Sequence, residues 1–217
     1  MSGNIASHGA VVIAIDAPFA RRGGAPLSFT ERDSAEQVQL ITDLRRAFDV
    51  LAAMRDVDTA RLAYVGLSYG GAMGGLLAGV ERRPKTYVLI VGDGGLIAHF
   101  EALHPSALYS LPRAQQDRWF AAMRPIEPIA LIHCARTKLL FHSGRHDRLV
   151  DPRQAERLHA AAPEPKVVKW YDADHNLGLP AFLDELQWLH DVVGTDPPRP
   201  STQLWSATAR PLAPARQ

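Results

Sequence analysis

The stretch Leu62-Ala63-Tyr64-Val65-Gly66-Leu67-Ser68-Tyr69-Gly70-Gly71-Ala72 decides how this chain is read. It begins as an apolar strand, Leu62 to Val65, passes through Gly66-Leu67-Ser68-Tyr69-Gly70, which fits G-x-S-x-G, and enters a helix-compatible run, Ala72 to Val80. A serine in such a strand-to-helix turn has a strained backbone, and glycines are expected on both sides because a side chain there would strike the neighbouring strand or helix. The bend lifts the hydroxyl to the carboxyl end of a sheet, where ligands bind in open α/β folds.

Outward from this stretch, further short apolar runs alternate with helical patterns, the signature of a parallel sheet covered on both faces. They are Ala10 to Ile15, Tyr87 to Val91, Leu139 to Phe141 and Val167 to Tyr171, and each reads as an interior strand. Ser34-Ala35-Glu36-Gln37 fits a capping box that opens a helix, with Val38, Ile41, Leu44, Phe48 and Leu51 as its core-facing stripe. Asp151-Pro152 reads as an N-cap followed by proline at the first helical position, and Phe182, Leu186, Leu189 and Val193 mark the buried face of a last helix. The fold class is therefore α/β, with a mostly parallel sheet and helices on both faces. Two segments break the rhythm. Residues 94–125 hold no clear strand but enough apolar surface for a small cap-like excursion, and residues 194–217, rich in proline, read as an extended or disordered tail after a domain spanning residues 1–193.

A serine hydroxyl is a weak nucleophile at neutral pH and needs a base within hydrogen-bond reach, itself oriented by an acceptor. The chain order expected for a serine on this strand-turn-helix is Ser, acid, His. Asp147 follows the strand in Phe141-His142-Ser143-Gly144-Arg145-His146-Asp147, and His175 follows the next in Asp172-Ala173-Asp174-His175. Asp93, after an earlier strand, is the rival acid. His142 and His146 lie four apart but in a strand end and a turn, where helical metal-ligand geometry does not apply, so no metal is expected. Cys134 reads as a small buried hydrophobe. Trp119, Phe120 and Met123 read as core of the excursion, or, more sharply, as a pocket over the serine.

Gly66 to Gly71, the Gly144 to Pro152 stretch and the His175 loop together resemble the α/β-hydrolase superfamily, in particular its dienelactone-hydrolase-like and prolyl-oligopeptidase-like serine hydrolases. The resemblance spans roughly Ala10 to Val193 and implies Ser68 as nucleophile, Asp147 as acid and His175 as base, with the Tyr69 N–H as one half of the oxyanion hole and no cofactor. It also exposes a gap. Ala10 to Ile15, followed by Asp16-Ala17-Pro18, looks like the family's fourth strand, so strands one to three are absent, and the third belongs between the fourth and fifth. The loop after that third strand normally supplies the second oxyanion donor. A truncated amino terminus, a strand lent by another copy in a homo-oligomer, or direct pairing of the fourth and fifth strands would each account for it.

Composition sets the outer bounds. The chain has 217 residues, 47% hydrophobic and 22% charged, with a formal net charge of +1 and one cysteine. It has room for a packed core, while internal disulfides and thiolate metal sites are excluded, and no overall field recruits nucleic acid or an anionic membrane. No secretory leader is evident, which places the expected site of action in the cytoplasm. The expected activity is that of a carboxylesterase-like serine hydrolase acting on a small-molecule ester through an acyl-enzyme. The alternative is a binding or scaffold protein that keeps the fold but lacks a complete oxyanion hole.

Overall fold

The computed structural model of the chain describes residues 2–23 and 27–198. Among these residues, four strands form one parallel sheet in the order β1-β2-β3-β4: β1 (Ala63–Leu67), β2 (Thr86–Ile90), β3 (Lys138–Gly144) and β4 (Lys166–Tyr171). The helices are α1 (Ser2–Ala6), α2 (Pro18–Arg22), α3 (Glu31–Ala53), α4 (Tyr69–Val80), α5 (Leu96–Leu103), α6 (Pro105–Tyr109), α7 (Arg113–Met123), α8 (Pro128–Leu131), α9 (Pro152–Ala161) and α10 (Gly178–Val193). None is long and apolar enough to cross a membrane.

The period-two alternation of the buried strands sorts the core into two layers. Tyr87, Leu89, Leu139 and Phe141 face α3, α4, α9 and the excursion, joining Phe48, Met73, Leu77, Trp119 and Leu158. Val88, Ile90 and Leu140 face the opposite side, joining Ile5 of α1 and Ala181, Leu189 and Val193 of α10. Every residue of β2 is buried, which is why it reads as a continuous apolar run. Helix α4 packs directly on β1 and β2, and glycines on both sides of the contact permit this closeness: a Cβ at Gly71 of α4 would lie 2.7 Å from the Ile90 carbonyl oxygen, and one at Gly92, just after β2, would lie 2.6 Å from the Gly71 carbonyl carbon.

Four of the five expected strands are present, each displaced by at most a few residues, but only β2 and β3 are interior as expected: among the described residues β1 and β4 are the sheet's edges, and no residue of β4 is fully buried. The fifth, Ala10 to Ile15, pairs with nothing among the described residues. It runs along β1 across a groove of about 510 Å³ that is floored by Leu44, Phe48 and Leu51, and Val11, Val12 and Ile13 are 36–45% exposed. An apolar run fixes the tendency to extend, but a ladder requires a partner at about 4.8 Å, and this segment has none. Direct pairing with the serine strand is therefore not what the chain does.

Two helix details also differ from expectation. Helix α3 starts at Glu31, with the Thr30 hydroxyl accepting from the Arg32 N–H, and Ser34 bonds back to the Glu31 carbonyl instead of capping. The earlier start is fixed by Asp33, whose carboxylate accepts the Ser28 and Phe29 N–H groups and the Trp119 indole N–H. Its buried stripe is Asp33, Gln37, Leu40, Ile41 and Phe48, while Val38 is 50% exposed. By contrast, Asp151 caps α9 as expected, its carboxylate accepting the Arg153 N–H at 2.9 Å with Pro152 at the first helical position. Residues 94–125 form α5, α6 and α7 without a strand. The tail expected from Gly194 lies, from residue 199 onward, outside the described residues.

Candidate active site

Three loops at the carboxyl ends of β1, β3 and β4 converge. Ser68 occupies the turn between β1 and α4 with φ 54° and ψ −115°, and its N–H donates to the Ile90 carbonyl at 2.8 Å. A non-glycine residue at positive φ is held there only when its surroundings over-determine it. Gly66 is part of that constraint, because a Cβ on it would overlap the Gly70 carbonyl group. Gly70 is not: a Cβ there would meet only the Tyr64 hydroxyl, at 3.8 Å. The glycine requirement expected at both ends of the motif thus falls on Gly66 and Gly71. At the end of the adjacent strand, Val91 also has positive φ, 44°, so the two bends face each other through the Gly71–Gly92 contact.

His175 and Asp147 arrive from the other side. The loop carrying His175 lies on the loop after β3, with no room for a side chain at Gly144, whose Cβ would lie 2.6 Å from both the Ala173 and Asp174 carbonyl oxygens. Asp174 ties the loops together by accepting the N–H groups of Arg148 and His175 and the Arg148 guanidinium, which lower its pKa to about 2. Asp147 accepts the N–H groups of Leu149 (2.8 Å) and Val150 (2.9 Å) on Oδ1, leaving Oδ2 for His175 Nδ1 at 2.9 Å. A carboxylate can only accept, so the imidazole proton sits on Nδ1 and the Nε2 lone pair faces Ser68 Oγ, also at 2.9 Å. The Asp147 side chain is 3% exposed and that of His175 21%. The geometry is that of a hydroxyl, an imidazole aligned to take its proton, and a carboxylate that fixes the tautomer.

The Tyr69 N–H lies at the first position of α4, whose first intrahelical bond runs from the Ala72 N–H to the Ser68 carbonyl, so it has no partner within the helix. The rival acid, Asp93, is engaged elsewhere, with its carboxylate on the Gly95 N–H at 2.7 Å and His99 Nδ1 at 3.1 Å. His142 is buried with neither ring nitrogen partnered, and burial lowers its pKa to about 4, whereas His146 is exposed and bound to Asp172. The two do not form a ligand pair, and among the described residues no group of three or more His, Cys, Asp or Glu is arranged to hold a metal. Cys134 is half-buried, not part of the core.

A pocket of about 230 Å³ opens beside Ser68 and Tyr69, lined by Phe19 and Leu27 and by Leu96, His99, Phe100 and Leu103 of α5. Trp119, Phe120 and Met123 do not line it, so of their two readings the core of the excursion is the one that holds and the pocket over the serine is not. Trp119 and Met123 are fully buried, with the Trp119 indole drawn onto Asp33, and Phe120 packs against them. The real lining carried a legible signal, since Leu96, His99, Phe100 and Leu103 follow the i, i+3, i+4, i+7 spacing of one helix face. What the sequence did not disclose was that this face looks onto the serine. Glu127 braces the wall by accepting the Ile97 N–H at the start of α5, and burial raises its pKa to about 7.

Comparison with known proteins agrees with this architecture. The model of the prolyl oligopeptidase family (Peptidase_S9) matches residues 4–173. An uncharacterised protein of Mycobacterium tuberculosis is 39% identical over 127 residues, which are 58% of this chain and 42% of that protein, so the chain spans less than half the length of this curated relative. Among solved structures, an acetyl xylan esterase from Paenibacillus sp. R4 superposes with a TM-score of 0.67 at 22% identity, covering 78% of this chain and 58% of the esterase. A puromycin-hydrolyzing peptidase of Mycobacterium tuberculosis does so with a TM-score of 0.57 at 19% identity, covering 73% and 26% of the two chains. With a parallel sheet, a serine in the bend after β1 and a family match over most of its length, the chain belongs to the prolyl oligopeptidase family of α/β-hydrolase-fold proteins.

Proposed function

We propose that the chain is a serine hydrolase that cleaves carboxylic esters through an acyl-enzyme on Ser68. The observation that carries this reading is the continuous pair of 2.9 Å contacts from Ser68 Oγ to His175 Nε2 and from His175 Nδ1 to Asp147 Oδ2, assembled from three separate loops. In the first step His175 takes the Ser68 proton as Oγ attacks the substrate carbonyl, and the tetrahedral oxyanion faces the Tyr69 N–H. His175 then returns the proton to the leaving alcohol, and the C–O bond breaks to leave the acyl group on Ser68. Water enters, gives its proton to His175 and attacks the acyl carbonyl; collapse returns that proton to Ser68 and releases the acid. Asp147 holds the imidazole in the Nδ1–H tautomer and stabilises its charged form without taking its proton. Hydrolysis of p-nitrophenyl butyrate by the wild type, with loss of at least 10³-fold in Ser68→Ala, is expected on general grounds for removal of such a nucleophile. Equal rates for the two proteins reject the proposal, and a parallel p-nitroanilide series decides between ester and amide.

The second reading is a catalytically silent binding or scaffold protein that keeps the fold. Among the described residues β1 pairs with β2 alone and Ala10 to Ile15 stands apart from it, so no described strand lies on that edge to bring a second oxyanion donor to Ser68. Loss of one such donor lowers turnover by about 10²–10³. A homo-oligomer in which a second copy fills the free β1 edge is the remedy we propose, and light scattering across a concentration series tests it. A concentration-dependent dimer supports it; a monomer with full turnover rejects it.

A further inference from the structure

The pocket beside Ser68 has two walls of definite chemistry. Leu96, His99, Phe100 and Leu103 form one, and Asp33, Glu36 and Gln37 of α3 form the other. Among the described residues no Lys or Arg lines it, whereas Asp33, Glu36 and Asp93 each bring a carboxylate. Asp33 is saturated by its backbone and indole donors, and Glu36 is bound to Arg22 at 2.5 Å. Asp93 orients His99: the carboxylate accepts from Nδ1, so in the neutral imidazole the lone pair is on Nε2, which has no partner among the described residues and belongs to a side chain 19% exposed at the pocket wall. A free acceptor among carboxylates calls for a donor.

The same lining settles which half of the substrate enters. Ser68 and Tyr69 border the pocket but His175 does not, and it is His175 that must meet the leaving oxygen. The acyl half therefore occupies the pocket. Resting on the hydrolase reading above, we infer that the pocket selects acyl groups with an apolar body of several carbons and a hydrogen-bond donor at the far end, either a hydroxyl or a protonated amine, received by His99 Nε2. Acyl groups that end in a carboxylate are rejected. Leu96, Phe100 and Leu103 grip the apolar body, and His99 is the specificity-determining contact.

The test compares p-nitrophenyl esters of hexanoate, 6-hydroxyhexanoate, 6-aminohexanoate and the adipate monoester, alongside labelling of Ser68 by a fluorophosphonate. The expected result is a kcat/KM for the hydroxy or the amino ester about tenfold above hexanoate, with the adipate ester at least tenfold below it. A larger gain for the hydroxy ester identifies a neutral donor as the preferred partner, and a larger gain for the amino ester a cationic one. In His99→Leu the advantage falls to within about twofold of hexanoate while Ser68 still labels, and His99→Gln, which keeps an acceptor, retains part of it. Labelling together with a flat wild-type series, or an advantage unchanged in His99→Leu, overturns the inference alone. Absence of both labelling and turnover overturns the hydrolase reading and this inference with it.

Discussion

Replacing Asp147 by Asn changes one atom and should remove nearly all activity. Oδ1 of Asp147 already accepts two backbone N–H groups, from Leu149 and Val150 at 2.8 and 2.9 Å. An asparagine must keep its carbonyl oxygen there, because turning its NH₂ toward two donors forfeits both bonds, at about 1–3 kcal/mol each. The NH₂ then faces His175 Nδ1, which has to accept, so the imidazole proton moves to Nε2 and points at Ser68 Oγ. A base already protonated on the side facing its nucleophile cannot take the serine proton. Loss of the correct tautomer in comparable sites lowers kcat by about 10⁴, equivalent to roughly 5.5 kcal/mol of transition-state stabilisation. The assay is kcat/KM for p-nitrophenyl butyrate, with circular dichroism to verify folding. Asp172→Asn serves as the control, since Asp172 is exposed and, among the described residues, pairs with the exposed His146 alone, and its activity should stay within about twofold of wild type. Asp147→Asn retaining more than a tenth of wild-type turnover would refute the tautomer reasoning.

Other positions respond in ways the structure specifies. Gly70→Ala should fold and keep its turnover, with a gain of about 0.5–1 kcal/mol from helix propensity, whereas Gly71→Ala, whose Cβ would press on the Ile90 carbonyl, should lose several degrees of melting temperature and most activity. Similar melting curves for the two would be inconsistent with the packing described. Glu185 is 1% exposed with an unpartnered Oε1, and burial raises its pKa to about 7. Because the folded state holds this proton more tightly than the unfolded one, wild-type stability falls as pH rises from about 4.5 to about 7. Glu185→Gln should lack that fall and be more stable at pH 8, by on the order of 2 kcal/mol in urea unfolding; an unaltered pH dependence would count against it. Glu81, 5% exposed, is held at a pKa of about 2 chiefly by hydrogen bonds from Arg83, so its contribution is present above about pH 4.5 and lost as pH falls toward 2. Arg83→Met should destabilise by about 1–2 kcal/mol at pH 7, and the gap to wild type should close in acid.

What the sequence disclosed, and what it did not, follows from the range of the forces involved. The strands of Tyr87 and Leu139 are legible because burial on both faces writes a continuous apolar run, that of Val167 because its β-branched and aromatic residues suit a half-buried edge, and the Asp151-Pro152 helix start because capping is local. Ser68, Asp147 and His175 could be picked out because each follows a strand, and loops at the same end of a parallel sheet must converge. The start of α3 lies ahead of the local capping signal because Asp33 is fixed by Trp119, 86 positions away, a contact no local window contains. Ala10 to Ile15 has the composition of a strand, but pairing depends on what lies beside it, and a groove lies there. The pocket wall from Leu96 to Leu103 has a readable helical stripe whose direction only tertiary packing decides.

The central claim, that Ser68 is an activated nucleophile, is tested most directly by covalent labelling. Intact protein incubated with a fluorophosphonate and digested for peptide mass spectrometry should carry one adduct, on the peptide containing Ser68. Asp147→Asn should label far more slowly and Ser68→Ala not at all. Labelling spread over several serines, or none on Ser68 in folded wild-type protein, would contradict the account.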